Sequence, residues 1–177
     1  MRFFTPELYG RSEFQDSDVE SDWTQGLLGL LGLDGAMAAY LDHRSRLAHQ
    51  LQTVDHISHP FFVNDGLLVR LESNPDAEYL ALTFRIGKLI VGYADLTLTY
   101  SGPSISQEDL ETLAKIRNTT ISDRQYEHKL YCHEFDVSPD GMIIHSLLFS
   151  WDALTVSISC KTVWPTMEAK PDRDLGR

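Results

Sequence analysis

Residues 128–164 constrain the fold most, because apolar and polar side chains alternate through almost all of them. Near the end of this stretch Val156, Ile158 and Cys160 alternate with serines, as in a strand that buries one face. Residues 138–141, Ser-Pro-Asp-Gly, carry a turn signal, since proline pre-sets φ and glycine accepts a positive φ after aspartate. We therefore predict three consecutive antiparallel strands, with a hairpin turn at residues 138–141.

Helical patterns flank the rest of the chain. A proline after a capping threonine predicts a helical turn over residues 6–10, and apolar residues at helical spacing follow through residues 19–31. The same spacing predicts a longer helix over residues 36–52. Ser106, followed by three polar residues and then leucines at helical spacing, predicts a capped helix over residues 106–117.

A first set of strands is predicted between the last two helices. Residues 67–72 form one strand, and residues 79–86 and 89–100 form a hairpin. Gly87 and Lys88 are its two-residue turn, because glycine at the first central position suits a type II′ turn.

These elements predict one α+β domain over residues 1–165. Its first part, residues 1–52, is helical and packs on a mainly antiparallel sheet within residues 61–164. We expect about six strands in two meanders, with the helix over residues 106–117 inserted between them. Residues 166–177 are polar and are predicted to be a flexible tail.

The charge balance limits the classes of partner. The chain has 15 basic and 26 acidic residues, a net charge of −11 and a pI near 4.9. Nucleic-acid binding normally needs a basic face, and so does electrostatic docking on anionic lipid. The sequence therefore predicts neither a nucleic-acid nor a membrane partner, and a basic protein is the compatible one.

The N-terminus and the cysteines indicate a compartment. The first residues lack the basic and apolar regions of a signal peptide, and no apolar stretch reaches the ~20 residues of a membrane span. We therefore expect a cytoplasmic protein. Cys132 and Cys160 are too few for a disulfide framework, so we expect both thiols to be reduced and buried.

The strands after residue 128 also carry the densest group of titratable and soft side chains: His128, Cys132, His133, Glu134, His145 and Cys160. Folding about the predicted turn places His145 across from either His133 or Glu134. Histidines beside a carboxylate suit Zn²⁺ or Fe²⁺, so His133, Glu134 and His145 are the candidate metal or general-base set. The alternative is a Glu134–His145 salt link on the solvated face of the sheet. Cys132 and His133 point apart on a strand and make no nucleophile–base pair.

His56 and His59 form a second pattern, with Asp55 beside them. Two imidazoles three positions apart can ligate a metal from a helix or a tight turn. The alternative is a capping or loop role, because a proline follows and no Cys/His quartet accompanies them. We assign no catalytic residue and no cofactor from either pattern.

The first nine residues, MRFFTPELY, resemble the start of a family of uncharacterised bacterial proteins. Members of that family continue with an acidic helical segment and end in a block similar to LYCHEFDVSPDGMIIHSLLFSWDALTVSIS. The resemblance covers residues 1–11 and 128–160. Relatives often carry a leucine-histidine-aspartate triplet ahead of the first strand, where this chain reads Val54-Asp55-His56. The resemblance implies a lineage and a fold, and no established function.

The aromatic residues suggest a surface role. A single sheet cannot bury all of those that the chain carries, so we expect some at its surface, where carboxylates surround them. The ones considered are Trp23, Tyr40, Tyr93, Tyr100, Tyr131, Phe149, Trp151 and Trp164. The first hypothesis is a non-enzymatic protein-interaction module, for which an immunity-like role against a basic partner is one concrete version. The second hypothesis is a metal-dependent enzyme that uses His133, Glu134 and His145.

The N-terminal segment is predicted to be structural. Phe3, Phe4, Leu8 and Tyr9 are too apolar for a floating tail, and each buried side chain contributes ~1.5–3 kcal/mol before the entropy of ordering is subtracted. We therefore expect residues 2–9 to dock on the sheet or on the helix over residues 36–52.

Overall fold

The computed structural model of the protein describes residues 2–3, 33–60, 62–63, 65–74, 76, 78–88, 92–122, 128–149 and 154–171. Helix α1 spans Leu33–Arg46, and turns lead from it into a 3-10 helix, Gln52–Ile57. The helical segments predicted over residues 6–10 and 19–31 lie outside the described residues.

The helix predicted over residues 36–52 ends earlier than expected, because the chain tightens after Arg46. The amide of Leu47 donates to the carbonyl three residues back, at 3.0 Å. Leu51, Val54 and Ile57 then recur every third residue, which is the period of a 3-10 helix. All three are buried, so the tighter winding directs one face of this segment into the core.

Within the described ranges, eight strands form one sheet in which every pairing is antiparallel. A second helix, α2, spans Gln107–Ser122 between the fourth and fifth strands. The strands are β1 Gly66–Asn74, β2 Tyr79–Lys88, β3 Gly92–Ser101, β4 Ser104–Ile105, β5 Lys129–Val137, β6 Ile143–Phe149, β7 Thr155–Cys160 and β8 Thr162–Lys170. Their order across the sheet is β4-β7-β6-β5-β1-β2-β3-β8.

The α+β class is confirmed, and the predicted number of about six strands is wrong. One additional strand, β4, follows Gly102 and Pro103, where the sequence had suggested the end of a meander. The other, β8, includes residues 166–170 of the predicted tail and pairs with β3 along its whole length. Hydrogen bonds between backbones hold β8 on β3, although most side chains of β8 are exposed. The alternation of apolar and polar side chains could therefore not predict this strand. Of the helices in the described residues, α1 precedes the sheet and α2 lies within its sequence.

The sheet closes on itself. β4 continues β3 after two residues, and β8 continues β7 after Lys161 alone. The two continued strands pair with each other in one register, with Ser101 opposite Thr162 and Ser104 opposite Ser159. The amide of Lys161 donates to the carbonyl of Ser101 at 2.9 Å and bridges the two pairings. The ends of the strand order are therefore joined, and the sheet encloses an interior.

Apolar side chains fill that interior. The enclosed core includes Phe84, Leu98, Tyr100, Phe135, Leu147, Phe149, Val156, Ile158 and Val163. Helix α2 adds Leu113 and Ile116, both fully buried. As predicted, Ser106 caps this helix, since its hydroxyl accepts a hydrogen bond from the amide of Asp109 at 3.0 Å.

The hairpin between β2 and β3 is present, but its turn is not at Gly87 and Lys88. Gly87 lies opposite Tyr93 and Lys88 opposite Gly92, so both predicted turn residues belong to the paired strands. Gly87 has a φ of 112°, and a Cβ there would collide with the carbonyl of Gly92. Glycine is therefore used at this position for a close backbone approach inside the ladder.

The predicted turn at residues 138–141 is confirmed. The amide of Gly141 donates to the carbonyl of Ser138 at 2.9 Å, and the φ of Gly141 is 85°. The amide of Ser138 donates to the carbonyl of Met142 at 2.8 Å, so the loop between the paired strands spans five residues, 138–142.

We expect Gly141→Val to lower the free energy of unfolding by more than ~1 kcal/mol, because a β-branched residue resists a positive φ. A Cβ at this position meets no atom within 4 Å, so the loss reports backbone strain and no steric clash. Urea denaturation measures it. Gly35→Val in α1 is the control variant. A Cβ at Gly35 also meets no atom within 4 Å, so this variant adds the same side chain without a steric clash of its Cβ. An unchanged midpoint for Gly141→Val contradicts the strained turn.

Candidate functional site

A continuous chain of polar groups crosses the interior of the closed sheet. The hydroxyl of Tyr100 on β3 lies 2.7 Å from Nδ1 of His145 on β6. Nε2 of His145 lies 2.9 Å from Nδ1 of His133 on β5. Nε2 of His133 lies 3.0 Å from the carbonyl oxygen of His59. All three side chains are 0% exposed, so both imidazoles have each nitrogen bonded inside the protein.

The donor and the acceptor of each hydrogen bond between Tyr100, His145 and His133 follow from the last acceptor, the carbonyl of His59. A carbonyl oxygen only accepts, so Nε2 of His133 carries a proton and donates to His59. In a neutral ring Nδ1 of His133 then accepts, and Nε2 of His145 donates to it. Nδ1 of His145 accepts in turn from the hydroxyl of Tyr100. Donors and acceptors alternate without a gap, and neither ring has room for a second proton without breaking the alternation.

The protonation states agree with this arrangement. Burial lowers the pKa of His133 to about 4. Burial, and then repulsion from His133, lowers the pKa of His145 well below its ordinary value. Burial raises the pKa of Tyr100 well above 10, and Cys160 beside it acts in the same direction. Both imidazoles are therefore neutral at pH 7, and the phenol keeps its proton.

An aromatic ring packs on the pair. Phe135 stacks on His145 with ring centroids 4.1 Å apart and planes at 10°, and it meets His133 edge-on at 5.4 Å. A face-on apolar ring offers no hydrogen-bond partner, so it keeps the histidines oriented toward each other and toward Tyr100.

The outer edge of β5 is completed by a loop and a tyrosine, because β1 and β5 pair at two positions only. The amide of His133 donates to the carbonyl of Pro60 at 3.0 Å. The amide of Phe135 donates to the hydroxyl of Tyr40 on α1 at 2.9 Å, and that hydroxyl donates to the carbonyl of Ser58 at 3.1 Å. Tyr40 is 0% exposed, and burial raises its pKa to about 12. Residues 58–60 and Tyr40 therefore stand where a neighbouring strand would otherwise pair.

Glu134 points to the opposite face of β5, since neighbouring side chains on a strand alternate. Its carboxylate oxygens accept hydrogen bonds from the amides of Arg2 and Phe3 at 2.7 and 2.8 Å. The ring of Phe3 meets Tyr40 edge-on at 5.6 Å and His43 at 5.3 Å. The first part of the predicted N-terminal docking thus lies on β5 and α1, and residues 4–9 lie outside the described residues.

Asp136 extends this contact at the next outward position of β5. Its Oδ1 lies 2.8 Å from Nε2 of His43, and its Oδ2 lies 3.9 Å from the guanidinium of Arg2. Glu134 and Asp136 therefore hold the N-terminal residues on the outside of the sheet, while His133 faces the inside.

The structure corrects the predicted register of His145. This residue lies opposite Phe135, and Glu134 lies opposite Ser146, because the five-residue loop shifts the pairing relative to a shorter turn. The solvated salt link between Glu134 and His145 is wrong, since His145 is 0% exposed and Glu134 only 4%. His133 and His145 meet diagonally on one face, whereas Glu134 does not join them.

The remaining candidates lie apart. Among the described residues no group of three or more His, Cys, Asp or Glu side chains is placed to hold a metal ion. His56 and His59 are exposed, and Asp55 pairs with Arg44 at 3.3 Å. His128 is buried just before β5.

Cys132 and Cys160 are free and buried, as the sequence predicts. Burial raises the pKa of both thiols, that of Cys160 to about 12, which keeps them protonated and poorly nucleophilic.

Two large apolar side chains are exposed on β8. Trp164 is 56% and Met167 54% exposed, and β8 pairs with β3 on one side only in the described part of the chain. Because these residues are an odd number of positions apart, they lie on opposite faces of the strand. Both faces of β8 therefore present apolar surface.

A groove of about 590 Å³ lies between the β1–β2 connection, β4 and the start of α2. Its lining includes the ion pair of Glu78 and Lys161, 3.8 Å apart, with both side chains about two-thirds or more exposed. Such a pair is screened by water and adds ~0–1 kcal/mol to an interaction. The groove offers a ligand no buried, convergent polar group comparable with the interior chain.

Sequence reasoning found the histidines but missed both tyrosines of the site. Tyr100 continues the alternation of Leu96 and Leu98, which is the pattern of any core aromatic on a strand. Tyr40 fits an apolar helix face, and its hydrogen-bond partner lies 95 positions away. No local signal in the sequence separates either hydroxyl from a packing role.

Comparison with known proteins finds no family model that matches this chain and no curated protein that is significantly similar to it. In the part of the chain that the structure describes, no helix is long and apolar enough to cross a membrane.

Proposed function

We propose that this chain is a non-enzymatic, cytoplasmic protein-interaction module that binds its partner along β8. The observation that carries the proposal is the exposure of Trp164 and Met167 on β8, whose side away from β3 has no strand partner in the described part of the chain. Tryptophan dominates the binding energy of many interfaces, and methionine adapts to irregular apolar partners.

The mode of binding follows from the two faces of β8. A partner that covers one face of the sheet contacts only one of the two side chains. A partner segment that extends along the unpaired edge of β8 contacts both, as in strand addition. Pro165 between them lacks an amide proton, which limits how many backbone hydrogen bonds the edge can donate. We therefore expect side chains to supply most of the affinity.

The charge of the chain favours a basic partner. A net charge of −11 attracts basic proteins over distances of about a Debye length and raises their association rate. An immunity-like role, in which the acidic chain neutralises a basic protein, is the version of this function that we favour.

The interior histidines do not support the alternative of a metal-dependent enzyme. All four ring nitrogens of His133 and His145 take part in hydrogen bonds within the protein, and Glu134 binds the N-terminal backbone on the other face. A substrate or metal at this pair has to displace the core. The site therefore fits a structural or regulatory role better than a catalytic one.

Cross-linked recovery of partners from a cell extract tests the proposal. Wild-type protein, Trp164→Ala and Leu41→Ala are compared at equal concentration, with Leu41 on α1, 37% exposed, as the matched apolar control. We expect a basic protein to be recovered by the wild type and by Leu41→Ala, and at least about tenfold less by Trp164→Ala, since a central tryptophan contributes about 2 kcal/mol or more. Equal recovery by Trp164→Ala, or recovery of no basic protein, refutes binding along β8.

A further inference from the structure

We propose that the buried pair of His133 and His145 makes the contact between β5 and residues 58–60 sensitive to acid, so that proton uptake releases this loop while the rest of the sheet stays closed. The proposal concerns the interior of the protein and does not depend on the partner of β8.

An added proton disrupts the hydrogen bonds of the pair whether it binds to His133 or to His145. On His133 the proton places two donors face to face across the 2.9 Å contact with His145. On His145 it turns Nδ1 into a donor, so the hydroxyl of Tyr100 has to accept and loses its own acceptor inside the core. Either position leaves at least one buried donor without a partner, which is costly in an apolar interior.

In the described part of the chain, no negative charge lies beside the pair to compensate the charge of an added proton. The titratable groups that face the pair are Tyr100 from β3, Cys160 from β7, His59 from the loop and Tyr40 from α1. None of them carries a carboxylate, and the adjacent carboxylate, Glu134, points to the other face of β5. No carboxylate therefore balances a cation on the pair, and access to water lowers the cost of placing the charge there.

Water can reach the pair most easily through the contact between β5 and residues 58–60. β3, β6 and β7 are each held by strand pairing, so moving them breaks several ladder hydrogen bonds. Residues 58–60 are held on β5 by the carbonyls of Ser58, His59 and Pro60, through Tyr40 and His133. These bonds belong to no strand pairing, so they can break while the ladders of the sheet stay intact. Acid therefore opens the loop contact before it opens the sheet. The opening frees the amide of His133, and it takes the acceptor Ser58 away from the Tyr40 hydroxyl that holds the amide of Phe135.

Amide hydrogen exchange of the full chain, followed by NMR at pH 7 and pH 5 with and without low urea, tests the proposal. The reporters are the amides of His133 and Phe135, and the references are those of Leu82 and Leu98 in β2 and β3. At pH 5, after correction for intrinsic rates, we expect the reporters to exchange at least about tenfold faster than the references. Urea should accelerate only the references, because a local opening exposes little surface.

At pH 7 we expect all four amides to share one urea dependence. The wild-type chain suffices for the measurement, and His49→Gln, which removes an exposed histidine, should change none of these rates. A common urea dependence of the four amides at both pH values refutes the proposal, because the pair then responds only through global unfolding. Urea-independent exchange of the reporters already at pH 7 refutes it as well, because the opening is then not driven by acid.

Discussion

We expect the free energy of unfolding to fall by about 3 kcal/mol between pH 6.5 and pH 5. Both interior histidines have a pKa lowered from the ordinary 6.5, that of His133 to about 4. Over this range the unfolded chain binds protons that the folded chain excludes, so stability is complete above pH 6.5 and is lost as the pH falls. Each histidine contributes a slope of about 1.4 kcal/mol per pH unit, and two of them act together.

Urea denaturation at half-unit pH steps measures this slope. The loss due to His133 levels off as the pH reaches about 4, where the folded chain also takes up its proton. His49→Gln is the control, because His49 is exposed and its removal should leave the slope unchanged. If the free energy of unfolding changes less steeply between pH 6 and pH 5 than one buried histidine requires, the two histidines are not a neutral pair with all ring nitrogens hydrogen-bonded.

We expect Tyr40→Phe to lower the free energy of unfolding by about 2–6 kcal/mol at pH 7. The substitution keeps the ring and removes one hydroxyl, which accepts from the amide of Phe135 and donates to the carbonyl of Ser58. Both backbone groups then lose their partner inside the protein, and each unsatisfied buried group costs ~1–3 kcal/mol. Thermal and urea denaturation measure the loss.

Tyr93→Phe is the matched control for this variant. Tyr93 lies on β3 and is half-buried, so removal of its hydroxyl should change stability by less than ~0.5 kcal/mol. If Tyr40→Phe is as stable as Tyr93→Phe, the Tyr40 hydroxyl does not complete the edge of β5.

Local signals in the sequence predicted the elements that local physics determines. The cap at Ser106 and the proline and glycine of the 138–141 turn act within four residues, and both features are present. The alternation through β7 likewise predicted which side chains enter the core. The α+β class followed from these elements.

Features that depend on distant residues were not predictable in this way. The number of residues in the loop between β5 and β6 determines which residue of β5 lies opposite His145. A loop one residue shorter would place Glu134 there, where the structure has Phe135. The closure of the sheet depends on β4 resuming the register of β3 after Gly102 and Pro103, which read as a stop. The hydroxyl of Tyr40 serves a strand far along the chain, so nothing near it indicates the contact.

Closure of the sheet also sets the order of events during synthesis. β3 pairs with β8, so residues 93–101 remain without their second neighbour until residues 162–170 have been made. At about 5–20 residues per second this wait lasts about 3–15 seconds. In that interval one edge of β3 is open to other chains, and long-range pairings of this kind form slowly even in the completed protein. We therefore expect the protein to be most prone to aggregate during synthesis, before the strand that covers the edge of β3 has been made.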